Sequence, residues 1–183
     1  MNKIKCFAAL MTILAPLSAS AADGTVTFNG KVTDKTCTIS TPGGKDFSVN
    51  LPTVSLDAIE DDQGAGRTPF SINLTNCSQA NVATYFEPGP SVELGTGHLI
   101  NLSEGSANGA SNVQLRLRGS NNEILRVLAS GADQVQNNSQ WVAVAADGTA
   151  NLNYYVEYIE AHTYVAATPG EVTGNVKYTI IYN

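Results

Sequence analysis

The chain has 183 residues, with 10 basic and 16 acidic side chains and a formal net charge of −6. This acidic balance argues against nucleic acid and anionic membrane surfaces as partners, because both repel a negatively charged protein. The length suits one domain with a sizeable core.

The first 21 residues have the features of a secretory signal peptide. Lys3 and Lys5 give a basic start, and residues 6–17 form an apolar run that is too short to span a bilayer. Ala19-Ser20-Ala21 is a small-residue cleavage pattern, so we expect cleavage before Ala22. No later stretch is long and apolar enough for a transmembrane helix, so we expect an exported chain without membrane insertion.

Cleavage there leaves 162 residues with 8 basic and 16 acidic side chains, and hence a net charge of −8. It also leaves two cysteines, Cys37 and Cys77. An even cysteine count in an exported chain suggests a disulfide, although two free thiols remain an alternative at this stage. A bridge closing a loop of about 40 residues stabilises a fold by roughly 4 kcal/mol on the chain-entropy model.

Two alternating segments stand at the two ends of the cleaved chain. In residues 24–33, one face carries Val26, Phe28, Gly30 and Val32. In residues 171–183, one face carries Val172, Gly174, Val176, Tyr178, Ile180 and Tyr182. A period of two predicts half-buried strands. A strand that runs to the last residue leaves a neighbouring sheet position to be filled, because an exposed apolar edge invites pairing.

Between these segments the sequence predicts short strands separated by turns. The predicted strands are residues 37–40, 47–51, 69–76, 82–87, 98–102, 113–118, 123–128 and 151–159. Turn signals stand at residues 42–44, 88–90 and 119–122, and residues 56–67 form an acidic loop with room for one helical turn. This spacing predicts an all-β sandwich and no second domain.

The motifs of enzymes, metal sites and nucleotide sites are absent from the sequence. His98 and His162 have no ligand cluster around them, and we interpret both as exposed loop histidines. Residues 57–62 lack the EF-hand spacing, and Gly43-Gly44-Lys45 does not complete a phosphate-binding loop. We interpret Trp141 as partly buried against the sandwich rather than as a sugar-stacking residue. We therefore predict no enzymatic activity and no cofactor.

In order and spacing, these features resemble the structural subunits of chaperone–usher pili, the type 1 fimbrial major pilin family. Residues 26–32 are similar to the family's donor strand, and residues 70–77 to its strand that leads into the second cysteine. The remaining matches are the disulfide pair, the glycine fourteenth from the C-terminus, and the alternating apolar residues with the penultimate aromatic: Cys37, Cys77, Gly170, Val176, Tyr178, Ile180 and Tyr182.

The resemblance implies an incomplete immunoglobulin-like β-sandwich that lacks its last strand and is completed by a donor strand from another chain. It divides the chain into a signal peptide (1–21), a donor-strand extension (22–35) and a pilin domain (36–183). The implied donor face is Val26, Phe28, Gly30 and Val32. The implied strand at the edge of the acceptor groove, which the chaperone contacts, carries Gly170, Val176, Tyr178, Ile180 and Tyr182.

The resemblance also implies a function. The chain would be exported through the periplasm, handed from a periplasmic chaperone to an outer-membrane usher, and assembled with other pilins into a head-to-tail surface fimbria that supports cell adhesion. No cofactor and no nucleic acid take part. Three alternatives stay open: a minor or adaptor subunit of the same fibre, a monomeric exported lectin-like sandwich whose tail is an ordinary first strand, and an exported enzyme on a β-sandwich.

Overall fold

The computed structural model describes residues 24–32, 36–60, 63–78, 80–128, 136 and 138–183. The chain divides into two compact units, residues 1–32 and 33–183, and each is described by itself. The predicted signal peptide lies outside the described residues.

Short strands make up nearly all the regular structure of residues 33–183. In chain order they are β1 (Thr38–Ile39), β2 (Ala65–Thr75), β3 (Asn81–Glu87), β4 (Val92–Glu93), β5 (His98–Ile100), β6 (Val113–Arg118), β7 (Ile124–Leu125), β8 (Val142–Ala143), β9 (Ala150–Glu160) and β10 (Lys177–Tyr182). A 3₁₀ helix spans Leu56–Ala58, where the sequence leaves room for one helical turn. The sequence pattern does not predict β4 or β8, since two residues are too few to show a period.

Two antiparallel sheets enclose the core, as the sequence predicts for a sandwich. The larger sheet has the order β1-β2-β9-β6-β5-β4, with β7 beside β6, and the smaller has the order β10-β3-β8. Phe86 of β3 packs edge-on against Tyr154 of β9, with ring centroids 5.1 Å apart. The alternate residues of the central strands fill the layer between the sheets: Ile72, Leu74, Leu117, Leu125 and Leu152. The fold is therefore the predicted immunoglobulin-like sandwich.

Three details of the predicted strands are wrong. The last strand is β10, Lys177–Tyr182, and residues 172–176 alternate in burial without a ladder partner. Residues 47–51 are not a strand either, although they show the same alternation. Both segments alternate in burial as strands do. They are not assigned as strands because, among the described residues, no neighbouring strand forms a ladder with them. His98 is half-buried in β5, not in a loop, because it pairs with Glu93 of β4.

The sandwich has two distinct ends. At the end that we call the disulfide end, Cys37 and Cys77 form the predicted bridge, with the sulfurs 2.07 Å apart. There Thr38 pairs with Thr75, at the start of β1 and the end of β2. At the opposite end, which we call the loop end, β5 finishes at Ile100 and β9 at Glu160, and the connections 101–112 and 161–170 emerge.

A buried charge cluster lies on the face of the larger sheet that points away from the core. Glu157 of β9 accepts hydrogen bonds from the Nε atoms of Arg67, Arg116 and Arg118, each at 2.7 Å. Burial would raise the pKa of Glu157, but the hydrogen bonds from Arg118, Arg67 and Arg116 outweigh it and hold that pKa below its ordinary value. The polar residues Gln114 and Arg116 of the alternating stretch 113–118 are therefore buried, although they point away from the core.

Candidate strand-acceptor groove

Two chain segments border the space between the sheets. One is residues 47–54, which we call the leading edge, and the other is residues 172–182, the C-terminal edge. In each, half-buried and exposed residues alternate along the chain. The exceptions are Ile181, which is half-buried, and residues 52–53, which are both exposed. The half-buried apolar residues are Phe47, Val49 and Leu51 in the leading edge, and Val172, Val176, Tyr178, Ile180 and Tyr182 in the C-terminal edge.

Each of the two edges lacks a strand neighbour on the side that faces the groove. The last strand, β10, pairs with β3 from Lys177↔Glu87 to Tyr182↔Val82 and is the outer strand of its sheet. Within the described part of the chain, no backbone–backbone hydrogen bond involves residues 47–54. Polar backbone groups need a partner when they leave water, and an open sheet edge is a template for another strand. The two edges can therefore accept one added strand.

A cavity of about 590 Å³ lies between the edges at the loop end. Its walls include Val49, Leu51 and Val54 from one side and residues 169–172 from the other, and Leu115 lies beneath them. An apolar side chain that entered this cavity would remove aliphatic surface from water, which is favourable.

Two tyrosines of the C-terminal edge bridge to the first part of the domain. The Tyr178 hydroxyl donates to the Lys45 carbonyl at 2.9 Å, and its ring centroid lies 6.4 Å from that of Phe47. Burial, and then the negative charge of Asp46, raise the pKa of Tyr178, so its hydroxyl keeps the proton that it donates. At the disulfide end, the Cys37 N–H donates to the Tyr182 hydroxyl at 3.2 Å.

The start of the C-terminal edge is held by a buried asparagine that sequence reasoning missed. The Asn101 amide donates to the carbonyls of Ala110 and Glu171 at 2.8 and 3.2 Å, and its Oδ1 accepts from the Thr173 N–H at 3.0 Å. An asparagine directly after a short apolar strand is the only sequence signal for this role.

Gly170 lies at the same point, and its small size is required. A Cβ on this residue would stand 2.4 Å from the Ala110 nitrogen, so no side chain fits without a backbone shift. The glycine singled out from the sequence therefore allows the close approach of two backbones at the end of the groove.

The tail residues 24–32 have no assigned strand, and all of them are exposed. The apolar face predicted from the sequence is largely in water: Val26, Phe28 and Val32 are 75 %, 89 % and 99 % exposed. Nothing lies within 4 Å of where a Cβ on Gly30 would stand. The structure thus brings the predicted groove residues together and leaves the predicted donor residues without a partner among the residues that it describes.

Metal-binding clusters and membrane-spanning helices are both absent from the described residues. Those residues contain no group of three or more His, Cys, Asp or Glu side chains placed to hold a metal ion. They also contain no helix with the length and apolar character needed to cross a membrane.

Comparison with known proteins agrees with this geometry. Residues 51–183 match the family model for type-1 fimbrial protein A, FimA. The chain is 64 % identical over 174 residues to the major fimbrial subunit SMF-1 of Stenotrophomonas maltophilia, covering 94 % of this chain and 100 % of that one. It is 37 % identical to the F17 fimbrial protein of Escherichia coli, covering 94 % and 96 %.

The fold is also that of a solved pilus subunit. The crystal structure of the P pilus rod subunit PapA superposes with a TM-score of 0.58 at 19 % identity, covering 80 % of this chain and 99 % of that one. The strand order, the open edge and the relatives lead to one conclusion: the chain belongs to the type-1 fimbrial protein family, whose members are structural subunits exported to surface fimbriae.

Proposed function

We propose that this fimbrial subunit polymerises through its residues 22–35, which fill the groove between the leading and C-terminal edges of another copy. The observation that carries this proposal is the complementarity between an apolar tail in water and a groove with two unpaired edges. Recognition of a peptide by strand addition to an open sheet uses this chemistry, and pilin donor-strand complementation is a known case of it.

The dimensions of the two parts agree. Nine tail residues, 24–32, span about 30 Å as a strand, and the eleven residues of the C-terminal edge span about 36 Å. Burial of Val26, Phe28 and Val32 would contribute roughly 4.5–9 kcal/mol at about 1.5–3 kcal/mol per side chain. Each added backbone hydrogen bond would contribute a net ~0.5–1.5 kcal/mol. Apolar contact and backbone pairing thus act together.

The chain then has three parts. Residues 1–21 are removed on export, residues 22–35 are the donor segment, and residues 36–183 are the pilin domain. Each domain accepts one tail and offers another, so the contact is head-to-tail and builds an open filament. A role as the major subunit is supported by the relative at 64 % identity, which is a major fimbrial subunit.

The open groove also indicates which proteins the subunit would bind during assembly. Before polymerisation, its unpaired edges would need a temporary strand, which a periplasmic chaperone would supply beside residues 171–183. At an outer-membrane usher, the tail of the incoming subunit would displace that strand. Support comes from the open side of β10 and from membership of a family whose solved relatives include a chaperone–usher pilus.

Gly30 offers a sharp test of the donor face. A glycine within a strand often marks close approach of another backbone, so a side chain there would collide with the groove. We expect Gly30→Val to lower the yield of surface fibres at least about tenfold, which corresponds to ~1.4 kcal/mol. Asn29→Val, on the opposite face of the tail, is the matched control and should assemble normally.

Both variants should bind the chaperone at the wild-type level, because the chaperone supplies its own strand. Fibre yield is measured on material sheared from the cell surface, and chaperone binding by co-purification from the periplasm. A wild-type fibre yield from Gly30→Val would show that the glycine face of the tail does not enter a groove.

A further inference from the structure

Three exposed apolar side chains at the loop end form what we call the loop-end patch. They are Leu102, Tyr164 and Val165, which are 45 %, 101 % and 52 % exposed. An aromatic ring wholly in water is surface that a binding partner can cover with a gain in free energy.

The loops that carry the patch are fixed in place. The Asn112 amide donates to the carbonyls of His162 and Val165, and the Asn112 N–H donates to Glu104 at 2.9 Å. The Leu102 N–H donates to the Thr173 carbonyl at 2.7 Å. The patch is therefore held beside the first residues of the C-terminal edge, at the end of the groove that contains the cavity.

The direction of the inserted tail decides what lies beyond that end. An antiparallel strand pairs slightly better than a parallel one, so the tail would run opposite to β10. Val26 then lies near Tyr182, and Val32 lies at the loop end. A parallel tail would instead bring the donor domain to the disulfide end of the acceptor. The acceptor's own tail joins its domain at that end, just before Cys37.

The reach of the chain then limits where the donor domain can be. Cys37 is five positions after Val32, so their Cα atoms lie at most about 18 Å apart. Cys37 belongs to the disulfide end of the donor domain. That end must therefore lie close to the loop end of the acceptor.

We propose that the loop-end patch is a second contact between subunits, which docks the disulfide end of the next copy of this chain. The inference rests on the proposed strand donation, and it adds a contact between folded domains to the contact made by the tail. The half-buried Cys37–Cys77 bridge offers apolar surface at the facing end. Such a contact limits bending between neighbouring subunits.

Site-directed labelling in intact fibres tests this inference. Tyr164→Cys places a thiol in the patch, and Leu94→Cys is the matched control, because Leu94 is 68 % exposed on the turn between β4 and β5. In fibres of the full chain, we expect a small maleimide to label Tyr164→Cys at least about tenfold more slowly than Leu94→Cys. Val165→Cys is a second patch variant, for use should Tyr164→Cys assemble poorly.

Cross-linking identifies what covers the patch. A benzophenone maleimide on Tyr164→Cys should cross-link mainly to residues 36–40 or 75–78 of a neighbouring subunit, as mapped by mass spectrometry. Labelling as fast as that of Leu94→Cys, or cross-links confined to other regions, would overturn the inference. Failure of strand donation itself would look different, since fibres would then form even from a chain without residues 22–33.

Discussion

At the scale of single residues, the least expected feature is a carboxylate that serves stability rather than assembly. Glu157 is buried with three arginines around it, on the sheet face that points away from the core. Its pKa is lowered from the ordinary value of 4.5. The stability that it contributes is therefore complete above that value and is lost as the pH falls through the folded-state pKa.

This predicts a specific acid sensitivity. At neutral pH, Glu157→Gln should destabilise the subunit by about 3–5 kcal/mol, because buried arginine charge loses its partner. The wild type should lose stability below about pH 4.5, and the variant should lose less over the same range. Thermal unfolding of fibres between pH 3 and 7, followed by circular dichroism, measures both effects. Glu123→Gln on an exposed turn is the control, and it should shift stability by less than about 0.5 kcal/mol.

At neutral pH, a Glu157→Gln variant as stable as the control would contradict the role assigned to this cluster.

Neither the burial of Glu157 nor the identity of its arginine partners could be predicted from the period-two alternation of the strand. Alternation indicates that a side chain leaves the core face. It does not indicate that Arg67, 90 residues away along the chain, will lie on the neighbouring strand and reach the same carboxylate.

At the scale of elements, the C-terminal edge determines whether the groove exists. It pairs with β3 on one side, and Tyr178 and Tyr182 connect it to the first part of the domain on the other. An added strand would lie beside β10 and complete the sheet. The apolar side chains of the edge are therefore only half-buried until that strand arrives.

Tyr182 allows the edge to be tested by a pair of variants. Tyr182→Ala removes a half-buried ring that packs against the core and should lower the periplasmic level of chaperone-bound subunit several-fold, since truncating a half-buried aromatic costs on the order of 2 kcal/mol. Tyr182→Phe keeps the ring and loses only the hydrogen bond from Cys37, worth about 1 kcal/mol.

Immunoblotting of periplasmic extracts measures the level of each variant. We expect Tyr182→Phe to remain close to wild type. Equal levels for Tyr182→Ala and wild type would count against a role for this edge in chaperone capture.

Many of the strands could be predicted from the sequence. The physical reasons for this also explain why other strands could not be predicted. Strands such as β2, β6 and β9 are long enough for alternation to mark their buried face, and the disulfide follows from an even cysteine count in an exported chain. The strands β4 and β8 are too short for a period. Residues 47–51 and 172–176 keep the period, but a ladder depends on a neighbour, which no local pattern reveals.

The sequence pattern indicates the side chains of the candidate site but not the backbone contacts that hold it. Residues 26–32 and 172–182 are singled out by their alternating apolar side chains, and they remain the proposed donor face and groove edge. Asn101 could not be found in this way, because its function is to accept and donate hydrogen bonds with backbone groups far along the chain. The required smallness of Gly170 likewise depends on the position of Gly109 and Ala110.

At the scale of the whole molecule, the chain has one domain that lacks a strand and one tail that has no sheet. A lectin-like monomer would need a complete set of strands, and the open side of β10 argues against it. The proposed head-to-tail joining of copies would fill the open edge and pair the tail, and it would have to overcome the charge of −8 expected for the cleaved chain. Polymerisation thus follows from the unpaired parts of the subunit.

The most direct measurement is gel electrophoresis of surface-sheared material, heated and unheated, from cells that make the full chain or a chain lacking residues 22–33. The account predicts that the full chain gives a ladder of multimers that survives mild detergent and collapses on boiling, and that the deletion abolishes the ladder. A stable monomer from both chains, or an unchanged ladder from the chain without its tail, would contradict strand donation between subunits.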